Sequence, residues 1–147
     1  MIAIRYEFGT PTYDQAIRLR DDVLRRPLGR SILDDDIEAE VVQTHFGYLD
    51  AGRLLGTATL VETADGAWKM RQVAVDPSEH GRGIGRALVR SCEAYAKTRD
   101  ATRLYCHARL TAREFYVRCG WVAEGDEFTE VDLPHVIMSS PHFGRRG

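Results

Sequence analysis

Apolar and polar positions alternate with period two at the start of the chain. Ile2, Ile4, Tyr6 and Phe8 stand against Ala3, Arg5 and Glu7, which predicts a half-buried strand. Gly9–Thr12 interrupts it. Thr12, followed three positions later by Gln15, has the form of a capping box, and Ala16, Leu19 and Val23 share one side of the helix it would open. Pro27 disfavours helical geometry in Arg26, so that helix is expected to end there. Thr44–Leu49 and Arg53–Val61 read as strands joined by a hairpin-length turn at Asp50-Ala51-Gly52. A second turn at Asp65-Gly66 leads into a strand over Trp68–Val75, closed by Asp76-Pro77. Ile84, Leu88, Cys92 and Tyr95 then recur at helical spacing and predict a helix over Gly83–Thr98. Arg103–Ala108 is the next strand. Thr111 with Glu114 forms a second capping box, and Ala112, Phe115, Tyr116 and Cys119 make the inner stripe of a short helix that Gly120 is suited to end. Trp121–Glu124 and Val136–Ser139 close the pattern, and the tail from 141 to 147 is expected to fray.

The element order is strand, helix, three antiparallel strands, helix, strand, helix and two strands. It predicts a mixed α/β single domain over 1–147, without repeats or linkers. The segment from Leu28 to Val42 fits no period. Its carboxylates, Asp34–Asp36, Glu38 and Glu40, make it either a solvated loop or an acidic wall that attracts a cationic amine. A net charge of −2 gives no basic face for nucleic acid. The start, MIAIRYEFGT, lacks the apolar run of a signal peptide or membrane span. Three scattered cysteines, Cys92, Cys106 and Cys119, are too few for a disulfide framework or a zinc site and are expected to be buried thiols. A cytoplasmic location and no metal are the resulting expectations.

The informative stretch is Val73–Leu88, where a strand runs through Gly81, Gly83 and Gly85 straight into a helix. The first N–H groups of a helix lack internal partners and carry partial positive charge. Glycines let phosphate oxygens approach those donors, and Arg82 and Arg86 add charge beside them. Among such cradles, the dinucleotide pattern G-x-G-x-x-G fails because Arg86 holds the third position, and no lysine completes a G-x-x-x-x-G-K-[ST] loop. The acyl-CoA pattern [QR]-x-x-G-x-[GA] fits His80–Gly85 except at its first position.

With that match the chain resembles the GNAT superfamily of N-acetyltransferases. Met70–Val75 followed by Gly81–Leu88 is similar to its motif A, and Ala112-Arg113-Glu114-Phe115-Tyr116 with Cys119-Gly120-Trp121 to its motif B. Phe128–Met138 resembles the F-x-E-x-x-I-P-H-x-x-M ending of the ElaA-like branch, and His107-Ala108 its H-A-Q. His80 stands where the family has Gln or Arg, and Arg109 where Asn or Gln is common.

The resemblance implies a single-domain GNAT fold, a mixed, mostly antiparallel central sheet flanked by helices with a splayed acyl-CoA wedge. It implies acetyl-CoA as cosubstrate, held by Val73 and Val75 backbone donors and by His80, Gly81, Arg82, Gly83, Gly85 and Arg86. The Val73 N–H would polarise the thioester carbonyl. Tyr116 would protonate the departing thiolate, with a core aromatic as its other reading. Glu130 and His135 are the candidate bases, each with a structural role as the alternative. His107 and His45 are expected to be satisfied polar groups rather than catalysts. The acceptor would be a small-molecule or peptide amine, and the family leaves room for a homodimer. A non-catalytic acyl-CoA-binding regulatory domain is the competing reading.

Overall fold

The computed structural model describes residues 3–144. Ten principal elements follow in order: β1 (Ile4–Tyr6), α1 (Pro11–Arg20), β2 (Thr44–Asp50), β3 (Arg53–Glu62), β4 (Ala67–Val75), α2 (Ile84–Thr98), β5 (Arg103–Arg109), α3 (Arg113–Arg118), β6 (Val122–Glu130) and β7 (Leu133–Ser139). The seven strands form one sheet in the order β1-β2-β3-β4-β5-β7-β6. Every neighbouring pair is antiparallel except β4 and β5, which run parallel. This is the mixed, mostly antiparallel architecture that the resemblance implied.

The apolar stripe of α2, Ile84, Leu88, Val89, Cys92 and Ala96, is buried against Phe46, Leu55, Met70 and Leu104 from the sheet. Each of the larger of these side chains, Ile84, Leu88 and Val89 on the helix, contributes roughly 1.5–3 kcal/mol by leaving water. Close approach at this interface depends on Gly56, where a Cβ would lie 2.8 Å from Ile84 Cγ2. All three cysteines are free and buried in this layer.

Local chemistry redraws several boundaries. The strand at the start is short; Tyr6 and Phe8 are more buried than Arg5 and Glu7 as expected, but at its beginning Ala3 is buried while Ile4 is 51% exposed. Ile2 lies outside the described residues. The first helix is capped by Thr10, whose hydroxyl accepts from Tyr13 N at 3.3 Å, with Pro11 in the first turn, where a missing donor costs nothing. Gln15 is not part of a capping box: it clasps the β2–β3 turn, donating to Gly52 O and accepting from Leu54 N. The helical path also does not stop at Arg26. A widened turn over Asp21–Arg25 passes into a tight turn over Arg26–Leu28, and Gly29 ends it at φ 69°. A new turn tolerates Pro27 near its start, so the chain changes helical register instead of ending.

The Leu28–Val42 segment consists of short 3₁₀ turns. Thr111 caps nothing: α3 begins from Ala112 without a side-chain cap, whereas Gly120 (φ 89°) closes it as expected, with Trp121 N donating to Tyr116 O. The closing strands are longer than predicted. They meet in a two-residue turn at Val131 (φ 45°) and Asp132 (φ 62°), left-handed conformations usually supplied by Asn or Gly. Near the end of the described chain, Phe143 packs on the core beneath the Lys97 ammonium; residues 145–147 lie outside the described part.

Candidate functional site

The two parallel strands, β4 and β5, pair only at their beginnings, Ala67 with Arg103, Trp68 with Leu104 and Lys69 with Tyr105. Beyond Lys69 they diverge. A cavity of about 770 Å³ opens in the gap, lined by Lys69–Val73 from one strand and Cys106–Arg109 from the other. Strand alternation gives it two walls. Met70, Cys106 and Ala108 belong to the core layer under α2 and α3. Lys69, His107 and Arg109 alternate with them and therefore point to the opposite face, towards α1 and the segment that follows it.

The outer edge of β4 is broken by a bulge. Thr57 pairs with Ala74 and Thr59 with Arg71, so Gln72 and Val73 together face Ala58. Gln72 takes the left-handed conformation, φ 57°, and its carbonyl oxygen Oε1 accepts from Arg25 Nη2 at 3.0 Å. Further along, Asp76 N donates to Leu55 O at 2.8 Å, which makes Val75–Gly56 a non-hydrogen-bonded pair. The Val75 N–H thus faces away from β3, into the gap.

Past β4, Asp76 caps a tight turn by accepting from Ser78 N, and the chain enters the glycine loop. Gly81 and Gly83 adopt φ 86° and 81°, and a Cβ at Gly81 would meet nothing within 4 Å. No side chain caps α2, whose first donors stay open. Gly85 has a packing role: a Cβ there would stand 3.0 Å from the Phe115 ring of α3. The two loop arginines already have protein partners. Arg82 pairs with Glu79 and, at 3.9 Å, Asp50, while Arg86 donates to Arg118 O at 2.7 Å.

Five sequence-predicted site residues line the cavity: Val73, His80, Tyr116, Glu130 and His135. Tyr116 is 5% exposed, and burial, then the neighbouring Cys106 thiol, pushes its hydroxyl well above its ordinary range. Burial likewise lifts Cys106 to about 12, although the hydroxyl of Tyr116 counteracts this. Across the cavity, Glu130 Oε1 lies 2.9 Å from His107 Nδ1, and Glu130 Oε2 lies 3.9 Å from His135 Nε2. His135 is fixed by Leu133 O at 2.9 Å and stacked on Phe128, which also meets the His107 ring edge-on. Burial would raise the Glu130 carboxyl, but the His107 hydrogen bond and the charges of His107, Lys69 and His135 hold it below its ordinary value. The sequence reading set His107 aside. The structure joins it to Glu130, which His135 also approaches, and, at 3.4 Å, to Lys69, a residue that reading overlooked.

His45 is structural as expected, buried between Thr59 Oγ1 and Glu40 O. In the acidic segment Asp34, Asp36 and Glu38 are exposed, and Asp34 lines the cavity, but the other two carboxylates are engaged by arginines. Glu40 is buried in a two-pronged pair with Arg20, at 2.7 Å for each oxygen, and Asp35 pairs with Arg25 at 2.6 Å. No pattern in the sequence marked Arg20, which is 0% exposed on a helix. Among the described residues no group of three or more His, Cys, Asp or Glu is arranged to hold a metal ion, and no helix is long and apolar enough to cross a membrane.

A sequence model of the acetyltransferase (GNAT) family matches residues 12–121. A curated Bacillus subtilis protein, YyaT, is 27% identical over 71 residues, and the match spans about half of each chain (48%). Among solved structures, a Lactobacillus plantarum protein assigned as an N-acetyltransferase is 26% identical, with a TM-score of 0.81, over 95% of this chain and 98% of that one. Escherichia coli ElaA superposes with a TM-score of 0.80 at 16% identity, covering 95% of this chain and 99% of its own. An aminoglycoside 6'-N-acetyltransferase complexed with coenzyme A gives a TM-score of 0.82 at 17% identity over the whole of both chains. At identities of 16–17% these last two show a shared fold.

Proposed function

This chain belongs to the acetyltransferase (GNAT) family, and we propose that it transfers an acetyl group from acetyl-CoA to a primary amine by direct attack of the amine on the thioester. The observation that carries this reading is the divergence of β4 and β5 after Lys69, which opens one cavity to both faces of the sheet. Acetyl-CoA supplies an activated acyl group and a stable thiolate leaving group. Its pyrophosphate would rest on the open donors at the start of α2 and on the Gly81–Gly85 loop, where the space over Gly81 admits phosphate oxygens. The pantetheine arm would follow the gap and accept from the Val75 N–H. Arg82 and Arg86 would have to exchange their present protein partners for phosphate.

At the reacting carbonyl the Val73 N–H would hold the developing negative charge, a role worth ~10²–10³ in rate for one such donor. The bulge suits it, because it removes Val73 from the β3 ladder register. As the amine nitrogen bonds to the carbonyl carbon, the carbon–sulfur bond breaks and the nitrogen loses one proton. Glu130, hydrogen-bonded to His107 and approached by His135, would take that proton. The carboxyl is held ionised by its neighbours, so it begins as an acceptor. Tyr116, on the opposite wall, keeps its proton at neutral pH and would donate to the departing thiolate. The test is release of free coenzyme A thiol from acetyl-CoA across an amine panel. Amine-dependent release that falls in Tyr116→Phe supports the reading. Tight acetyl-CoA binding with no turnover of any amine would favour a non-catalytic acyl-CoA-binding domain.

A further inference from the structure

The cavity carries more positive charge than acetyl transfer requires. Five cationic side chains line it, Arg25, Arg30, Lys69, Arg71 and Arg109, against three carboxylates, Asp34, Asp35 and Glu130. Most of the negative charge is already engaged. Asp35 is held by Arg25 at 2.6 Å and approached by Arg20 at 3.4 Å, and Glu130 is hydrogen-bonded to His107. Arg30 is satisfied from outside the cavity by Asp132, at 3.0 Å. Lys69, Arg71 and Arg109 remain, and among the described residues none of them has a carboxylate partner. Lys69 touches only the His107 ring nitrogen, and Arg109 spends one donor on Leu24 O at 3.0 Å. Arg109 is half-buried, where an uncompensated guanidinium is costly. Burial and the adjacent Arg25 both disfavour its charge.

Acetyl-CoA phosphates do not answer this charge. Bound at the glycine loop, they would lie past Val75, whereas Arg71 and Lys69 stand four and six residues earlier on the same strand. At about 3.3 Å per residue that is roughly 13–20 Å away. Lys69, His107 and Arg109 also share the face turned away from α2.

We propose that the acceptor is a small primary amine that also carries an anionic group, a carboxylate or a phosphate, and that Arg71 and Arg109, with Lys69 beside them, hold it. This inference rests on the acetyl-transfer reading above. A guanidinium presents a planar fork matched to either anion, and two of them orient the amine at the other end. The same cations disfavour an ammonium ion nearby, so they also increase the share of neutral, attacking amine.

The test uses the full chain and matched probes: β-alanine against its amide, O-phosphoethanolamine against ethanolamine, and 1,4-diaminobutane as a cationic acceptor. Acetyl-CoA binding is measured in the same preparation by calorimetry, and rates are expressed per neutral amine. We expect kcat/KM for at least one anionic probe to exceed that of its neutral partner by about tenfold, the size of one charge-assisted contact. The carboxylate and phosphate arms identify which anion is preferred. In Arg109→Gln, and separately in Arg71→Gln at the exposed position, that ratio should fall towards one. Preference for neutral or cationic acceptors, or a ratio that neither variant moves, would overturn the anionic-acceptor inference alone; acetyl-CoA binding with no turnover of any probe would overturn it together with the acetyl-transfer reading. Failure of acetyl-CoA itself to bind would overturn the acetyl-transfer reading with it.

Discussion

Replacing Glu40 by Gln removes one charge from a pair that has almost no access to water. Arg20 is 0% exposed and Glu40 4%, and the guanidinium meets both carboxylate oxygens at 2.7 Å. Tyr13 adds a hydroxyl to Oε1 at 2.7 Å. In Glu40→Gln the amide keeps one acceptor, and the buried guanidinium is left with Asp35 at 3.4 Å as its nearest carboxylate. Breaking a buried pair from one side costs about 3–5 kcal/mol. For a chain of this size each kcal/mol moves the thermal midpoint by about 2–4 °C, so a fall of roughly 6–20 °C is expected at pH 7. Asp22→Asn is the control: its pair with Arg26 at 3.4 Å is solvent-exposed, and a change below about 1 kcal/mol is expected. Burial opposes ionisation of Glu40, but Arg20 and Tyr13 outweigh it and hold the carboxyl below its ordinary value. Its contribution is therefore complete above the unfolded pKa of ~4.3 and is lost as pH falls through the lower folded value, so the two proteins should converge in strong acid. Denaturant melts of both proteins at pH 7 and at steps of pH below 4 measure this. A Glu40→Gln protein within 1 kcal/mol of the parent at pH 7 would refute the reasoning.

Other consequences are quickly stated. Gly85→Ala places a Cβ 3.0 Å from Phe115, so the ring must give by a few tenths of an ångström against α2, and calorimetry should show weakened acetyl-CoA binding with a stability loss of about 1 kcal/mol. Tyr116→Phe should reduce kcat by roughly tenfold to a hundredfold while leaving the acetyl-CoA dissociation constant within about twofold, read by thiol release and by titration. Arg25→Ala removes the tether on Gln72 and with it the support of the Val73 bulge, so kcat is expected to fall more than KM for acetyl-CoA rises; the opposite split would place Arg25 in cofactor binding instead. Burial lowers the His45 imidazole below its ordinary pKa. Its contribution to stability is present above ~6.5 and lost as pH falls through the folded value, a loss that thermal melts of His45→Gln should lack.

The sheet and the long helix were legible because their signals are local. Strand-like runs bounded by turn residues mark β2 to β5, and the Ile84–Leu88–Cys92 spacing fixes α2 to within one residue. The glycine loop was legible from its own residues, whereas the diverging strands were legible only through resemblance, since no periodicity says that β4 and β5 part after Lys69. What escaped the sequence depends on tertiary partners. Arg20 reads as an ordinary helix arginine until Glu40, 20 positions away, is brought beside it. Val131 and Asp132 lack the residues that usually announce a hairpin, so β6 and β7 were drawn too short. Gln15 and Thr111 matched a capping pattern, but the helices start where Thr10 and Ala112 let them. Glu130 and His135 were named from a motif. The meeting of His107 with Glu130, which His135 also approaches, appears only when β5, β6 and β7 are side by side.

The account's central claim is that the gap between β4 and β5, with the loop beyond it, is an acetyl-CoA site. The most direct measurement is the thermal midpoint shift with acetyl-CoA, coenzyme A, NAD and ATP, each applied separately at the same concentration. A ligand bound only by the folded state, at ~100 times its dissociation constant, adds ~2.7 kcal/mol. Stabilisation by acetyl-CoA and coenzyme A alone is the predicted result. No response to either, at concentrations that saturate a known acetyltransferase, or an equal response to NAD or ATP, would contradict it.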